Sequence, residues 1–428
     1  MRVSQRLLLP LLVASLCAPV AIGSAAAKVA PKAQPAVRPV VIAVVGEAGL
    51  NVLHSDFATA DGRDPALPAG YPAARVVRLP RSGGFADRLR ASESGPLGHL
   101  APDTLYRVAG TRIIGVYAAT DGNQPPKETD LLADRLHGTG VTSSAVGRKY
   151  GTAPTAELVV VLGDGDNAWS WVANQPWIDI AVTATITEVD TANPNKPSSL
   201  TCSGAAGIHQ LATSGRLVFA GSGDDEQSGV VNPPPGLPDV YQVGGVNADG
   251  TPWMGAHQSE SDPAFATGQV TRPYVTGDLY SFTAASPDSL TGGAHFGGTS
   301  GAAPLTAGRA ASLIATARAQ LHTPNAGHSG ALAWLGSAGS RPHTGPLADG
   351  RLTGGELSTL LRHVAVPSLP EPAGFAIEGY GALNATTMTL ARRVLAGLAA
   401  EPNRSDDDTA QTAVTTARQA LFTSARCG

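Results

Sequence analysis

Cysteine is scarce in this chain: three residues in 428, Cys17, Cys202 and Cys427. No Cys-x-x-Cys pair and no His/Cys cluster occurs among them, which excludes a structural zinc site of familiar spacing. Charge is thin as well. Charged residues make up 15% of the chain, the net charge is −4, and like charges never gather into a long run. That excludes nucleic acid as a partner, because neutralising phosphates needs clustered Lys and Arg. Beyond the first residues no apolar stretch is long enough to span a bilayer. No internal repeat is present.

What is present begins with an export signal. Arg2 and Arg6 open the chain, Leu7 to Ile22 is an apolar run, and Ala25-Ala26-Ala27 offers a small-residue cleavage site before Lys28. Residues 1–27 are thus expected to be a signal peptide, residues 28–38 a short arm, and the mature protein secreted and off the membrane. An uncleaved anchor is the rival reading, weakened by Pro10 and Pro19; a lipid-modified Cys17 would follow a bulky Leu16. Cleavage would leave Cys202 and Cys427. In an oxidising compartment these either pair and pin the C-terminus or stay as two thiols, and only their separation decides.

Apolar residues at 43% permit one large core or two modest ones, and 50 Gly with 33 Pro suit a loop-rich α/β enzyme better than a helical bundle. Residues 40–46, 112–119, 156–163, 178–186 and 216–221 read as short, buried, β-branched strands. Helix-compatible stretches at 141–149, 166–175, 204–215 and 306–321 lie among or after them. Strands alternating with helices predict a mostly parallel sheet covered on both faces. Its sites should gather at the carboxyl ends of the strands. Residues 39–400 are expected to form this domain, with 65–126 as a loop-rich insertion and 401–428 as a C-terminal tail.

Two stretches carry chemistry. FGGTSGAAPLTAG (296–308) sets Ser300 after two glycines and at the start of a helix, with Pro304 expected in its first turn. A helix start aims unpaired N–H groups and a positive dipole end at developing negative charge. A serine needs such surroundings, and a base, because its hydroxyl is a poor nucleophile alone. HGTGVTSSAVG (137–147) sets His137 at the head of a small-residue helix, making it the candidate base.

Gly298-Thr299-Ser300 with Ala302-Ala303-Pro304 resembles the serine motif of the subtilisin-like peptidases, and His137-Gly138-Thr139 resembles their histidine region. VVIAVVGEAGLNVLHSDF (40–57) is similar to their first motif, and GYGALNA (379–385) to their C-terminal segment. The matches run in family order from about residue 40 to 395. The resemblance implies a three-layer α/β/α subtilisin-like fold with a mostly parallel sheet. It implies peptide-bond hydrolysis through an acyl-enzyme, a peptide or protein substrate, and no cofactor beyond calcium in many relatives. DGDN (164–167) is the only stretch here that hints at that ion. A monomer is expected.

Three positions depart from the family pattern. Glu47 stands where the family has the aspartate that orients the histidine. It carries the same charge on a stem one methylene longer, so strand end or histidine must shift to suit; Asp56 matches the H-x-D-F aspartate instead. Asp224 stands where the family has its oxyanion asparagine, and AGSGDD (220–225) is similar to the sedolisin branch. An ionised carboxylate there would repel the oxyanion, whereas a protonated one could donate to it. Residues 178–190 lack the glycine of the substrate-pairing strand. The arm before residue 40 is also too short for a folded inhibitory propeptide. The expected function is a secreted serine endopeptidase using Ser300, His137 and Glu47, with Asp224 at the oxyanion site; the alternative is a peptidase fold of reduced activity that binds peptides or partners.

Overall fold

The β-branched runs become the middle of a ten-stranded sheet in the computed structural model. It describes residues 38–47, 49–120, 131–132, 135–185, 202–224, 234, 237, 240–253, 275–278, 281–284, 286–320, 352, 354–368 and 379–396. The signal peptide, nearly all of the arm, the tail and Cys427 lie outside the described residues.

In chain order the strands are β1 (Val41–Val45), β2 (Arg75–Arg78), β3 (Leu105–Ala109), β4 (Ile113–Ala118), β5 (Glu157–Leu162), β6 (Ile180–Thr183), β7 (Leu217–Gly221), β8 (Val240–Val246), β9 (Val275–Asp278), β10 (Ser281–Thr283), β11 (Ala294–Phe296) and β12 (Ala382–Leu383). The helices are α1 (Phe85–Glu93), α2 (Arg135–Val146), α3 (Asp166–Ala173), α4 (Cys202–Thr213), α5 (Thr299–Gln320), α6 (Gly354–Val364) and α7 (Ala385–Leu395). The large sheet has the order β12-β9-β8-β7-β6-β1-β5-β4-β3-β2, and β10 pairs with β11 separately. Every neighbouring pair in the large sheet is parallel except β3 with β4. The stretch 65–126 contributes β2, α1, β3 and β4, which extend this same sheet to one edge.

β1 shows why the sequence runs apolar without alternation. Ile42 and Val44 point into one core with Val141 and Ala145 of α2, Ala303 and Leu313 of α5, Leu360 of α6 and Met388 of α7. Val41, Ala43 and Val45 point into a second core with Trp169 and Val172 of α3 and Ile208 and Leu211 of α4. Both faces are therefore buried, as a central parallel strand requires. Each such Val or Ile contributes about 1.5–3 kcal/mol by leaving water. The result is the mostly parallel, three-layer α/β/α arrangement expected from the sequence.

One local expectation is corrected. Because α5 begins at Thr299, Pro304 sits in the second helical turn rather than the first. Its missing N–H therefore removes a real ladder bond, the one that would reach back to the carbonyl of Ser300.

At the opposite, amino-terminal ends of the central strands lies a buried ionic cluster. Asp179 accepts from Arg318 at 2.7 Å, from Val41 N–H at 2.9 Å, and from Arg38. This ties the far part of α5 to the start of β1. Glu157 lies beside it, 3% exposed, with Oε2 unpartnered among the described residues. Burial pushes its carboxyl up to about 8, against the pull of Arg38 and Arg112 and helped by Asp179. Among the described residues no helix is long and apolar enough to cross a membrane.

Candidate active site

The chain leaves β1 through Gly46, whose φ of +88° turns Glu47 out of the sheet plane. Glu47 is buried, and its Oε2 lies 2.8 Å from Nδ1 of His137, the third residue of α2. The imidazole itself is far more open: 47% of that side chain is exposed, against 3% for Glu47. The longer acid thus reaches the histidine. A bare Gly138 makes this fit, since a Cβ there would stand 1.9 Å from the carbonyl of Gly49 and 3.4 Å from Cβ of Glu47. Thr139 Oγ1 accepts from Asn51 N–H at 2.8 Å, fastening the same loop to the helix one residue further on. The second carboxylate oxygen, Oε1 of Glu47, is buried without a partner among the described residues.

Asp56 is placed elsewhere. Its Oδ2 accepts from Ser143 Oγ at 2.7 Å and its Oδ1 from Lys149 N–H at 2.6 Å. Ser143 lies six residues beyond His137, or about 9 Å along the helix axis. The H-x-D-F aspartate therefore secures the far part of α2. His54 of that motif accepts from Asp56 N–H on Nδ1 and gives its Nε2 proton to Gly292 O at 2.6 Å, a neutral ring whose pKa burial lowers.

Ser300 is the second residue of α5 and half-buried. Helices α2 and α5 pack through small residues. Near their starts, a Cβ on Gly140 would meet the ring of Phe296 at 2.5 Å. Further along, a Cβ on Gly308 would stand 2.5 Å from the carbonyl of Ala145. Phe296, four residues before Ser300, also lies edge-on to His137, with ring centres 5.5 Å apart.

Asp224 follows β7 and holds the head of α5. Its Oδ1 accepts from Thr299 N–H at 2.8 Å and from Thr299 Oγ1 at 2.7 Å, while Thr299 Oγ1 accepts from Gly223 N–H at 3.1 Å. Asp224 is thus a carboxylate acceptor for the first helical residue, a use the sequence did not reveal. Its Oδ2 crowds Gly298, where a Cβ would come within 2.3 Å, and Gly298 has φ +75°. The positive φ disfavours a side chain there, whereas the Oδ2 contact alone could be relieved by a shift of the Asp224 carboxylate.

The structure therefore brings Glu47 to His137, and Asp224 to the residue before Ser300, at the carboxyl ends of β1 and β7. The residues missed by sequence reasoning are the fitters: Gly138, Gly140, Phe296 and Thr299. Their only signal was membership of the two small-residue motifs. DGDN is used structurally, since Asp166 accepts from Gly204 N–H at 2.8 Å and Asn167 donates to Thr120 O at 2.8 Å. Among the described residues no group of three or more His, Cys, Asp or Glu could hold a metal ion. Residues 186–190 and Asp130 and Asp134, near the histidine in sequence, lie outside the described residues.

No protein-family model matches the chain, and no curated protein matches it. Solved structures do. The prenylagaramide maturation protease PagA is 16% identical over 82% of this chain and 93% of its own, with a TM-score of 0.45. The PatG macrocyclase domain is 16% identical over 84% and 93%, with 0.45. The epidermin leader peptide processing serine protease (EpiP) from Staphylococcus aureus is 13% identical over 83% and 76%, with 0.47. Likenesses this slight add no functional weight, which rests on the chain's own residues.

Proposed function

We propose that the chain is a secreted serine endopeptidase in which Ser300 attacks the scissile carbonyl of a peptide or protein substrate. The observation that carries this reading is the 2.8 Å contact between Glu47 Oε2 and His137 Nδ1. With Nδ1–H given to the carboxylate, the neutral ring presents Nε2 as its proton acceptor. His137 takes the Ser300 proton as the Oγ–carbon bond forms and the carbonyl oxygen becomes an oxyanion. It returns that proton to the departing amine as the peptide bond breaks, leaving an acyl-enzyme. Water then adds by the same route, and Ser300 recovers its proton. Glu47 stabilises the imidazolium throughout and keeps the ring in its tautomer. The Ser300 N–H and the dipole of α5 supply positive potential at the oxyanion, the Thr299 N–H being held by Asp224.

A second reading, a peptide-binding protein with little turnover, is favoured by Asp224. Where an asparagine would donate, this carboxylate accepts from Thr299. Hydrolysis of a quenched fluorogenic protein substrate by the secreted protein decides between them. Ser300→Ala should abolish it. Folded wild-type protein that binds the substrate without cleaving it would establish the second reading instead.

A further inference from the structure

A cleft of about 710 Å³ opens between the loop after Glu47, the end of β2 and the β3–β4 turn. That volume is in the range of pockets for small molecules. Three guanidinium-bearing side chains line it: Arg78, Arg81 and Arg88. The two carboxylates in its wall are already engaged. Asp64 pairs with Arg107 at 3.1 Å and accepts from Gly110 N–H at 2.7 Å. Asp61 accepts from Arg63 N–H at 3.1 Å and lies 3.7 Å from the Arg63 guanidinium. His54, also in the wall, has both ring nitrogens committed and stays neutral. Asp87, one residue before Arg88, pairs with Arg90 at 3.1 Å. Among the described residues, the positive charge of the three arginines in the cleft is therefore left uncompensated.

Arg88 is the most buried of the three, and its Nε is sealed from solvent. An N–H closed to water is closed to a ligand oxygen as well, so a ligand would meet the outer N–H groups of this guanidinium and those of the exposed Arg78 and Arg81. Guanidinium forks match carboxylate and phosphate oxygens in pairs, unlike the point charge of lysine.

We infer that this cleft binds a small polyanion through oxyanion groups, phosphate or carboxylate, held by Arg78, Arg81 and Arg88. The inference does not depend on the peptidase reading, because the cleft is lined by neither Ser300 nor His137. The test is thermal unfolding and calorimetric titration of the full secreted chain with inorganic phosphate and with citrate, each against sodium chloride at matched ionic strength. The two probes separate phosphate from carboxylate preference. A saturable rise in Tm with at least one probe is expected, together with at least tenfold weaker binding in an Arg81→Gln/Arg88→Gln variant that unfolds at the wild-type temperature without ligand. Because the cleft is lined by none of Glu47, His137 and Ser300, serine labelling should be unchanged in that variant. If the double variant unfolds early, the single Arg78→Gln and Arg81→Gln variants, both at exposed positions, carry the same comparison. No saturable response to either probe, or equal binding by wild type and variants, overturns the inference.

Discussion

Gly308 of α5 lies against the carbonyl of Ala145 in α2, so close that a Cβ would stand 2.5 Å from that oxygen and 2.2 Å from Thr152 Oγ1. This contact sets the register of the two helices that carry Ser300 and His137. Gly308→Ala should therefore cost stability, about 1–3 kcal/mol by overpacking, and should slow hydrolysis by moving the serine relative to its base. Thermal unfolding alongside kcat/KM checks both. Equal loss of kcat/KM in an equally destabilising variant distant from this contact would show the effect to be general.

Glu47 is the position where the longer stem is matched to its surroundings. Glu47→Asp withdraws the carboxylate by one methylene while the bare Gly138 remains, so kcat/KM should fall by about 10²-fold. Glu47→Gln removes the charge that stabilises the imidazolium and should cost about 10²–10⁴-fold. Steady-state rates across pH 6–9 measure both. Full activity in Glu47→Gln would show that the acid has no role in the reaction.

Asp224→Asn retains an acceptor oxygen for Thr299 and places an amide where Oδ2 now lies. Turnover near neutral pH should rise, by about 10²-fold if the amide acts as a full oxyanion donor. Asp224→Ala loses the acceptor for both Thr299 groups and should cost about 1 kcal/mol of stability, as for a lost helix cap. If Asp224→Asn abolishes activity in a folded protein, the carboxylate itself is needed.

The central strands and the two motif helices could be read directly because each is dictated locally, by β-branched runs buried on both faces and by small residues at close contacts. The Glu47–His137 pairing could be read only as an option. Whether one extra methylene fits depends on the gap left by Gly138, which is a property of packing rather than of either motif. Asp224 was legible as a departure but not in its use, since nothing near it in sequence indicates that Thr299, 75 residues on, is its donor. Pro304 was misplaced by count alone: a helix starting at Ser300, one residue from the observed start, already carries it beyond the first turn.

Glu157 gives the chain a pH-dependent stability. Its folded carboxyl titrates near 8, above the ordinary value of 4.5, so the folded state binds the extra proton between those limits. Stability from this group is fully present below about pH 4.5 and is lost as pH rises towards 8, at about 1.4 kcal/mol for each pH unit crossed. Glu157→Gln should unfold at nearly the wild-type temperature at pH 4.5 and at a higher one at pH 8.5. Thermal denaturation at the two pH values measures this; a variant equally destabilised at both would contradict it.

The most direct test is to treat the folded protein with a fluorophosphonate and locate the adduct by peptide mass spectrometry. A single adduct on Ser300 is predicted, lost in Ser300→Ala and slowed at least 10²-fold in His137→Ala. Absence of any adduct on folded wild-type protein, or modification of another serine that persists in Ser300→Ala, would contradict the account.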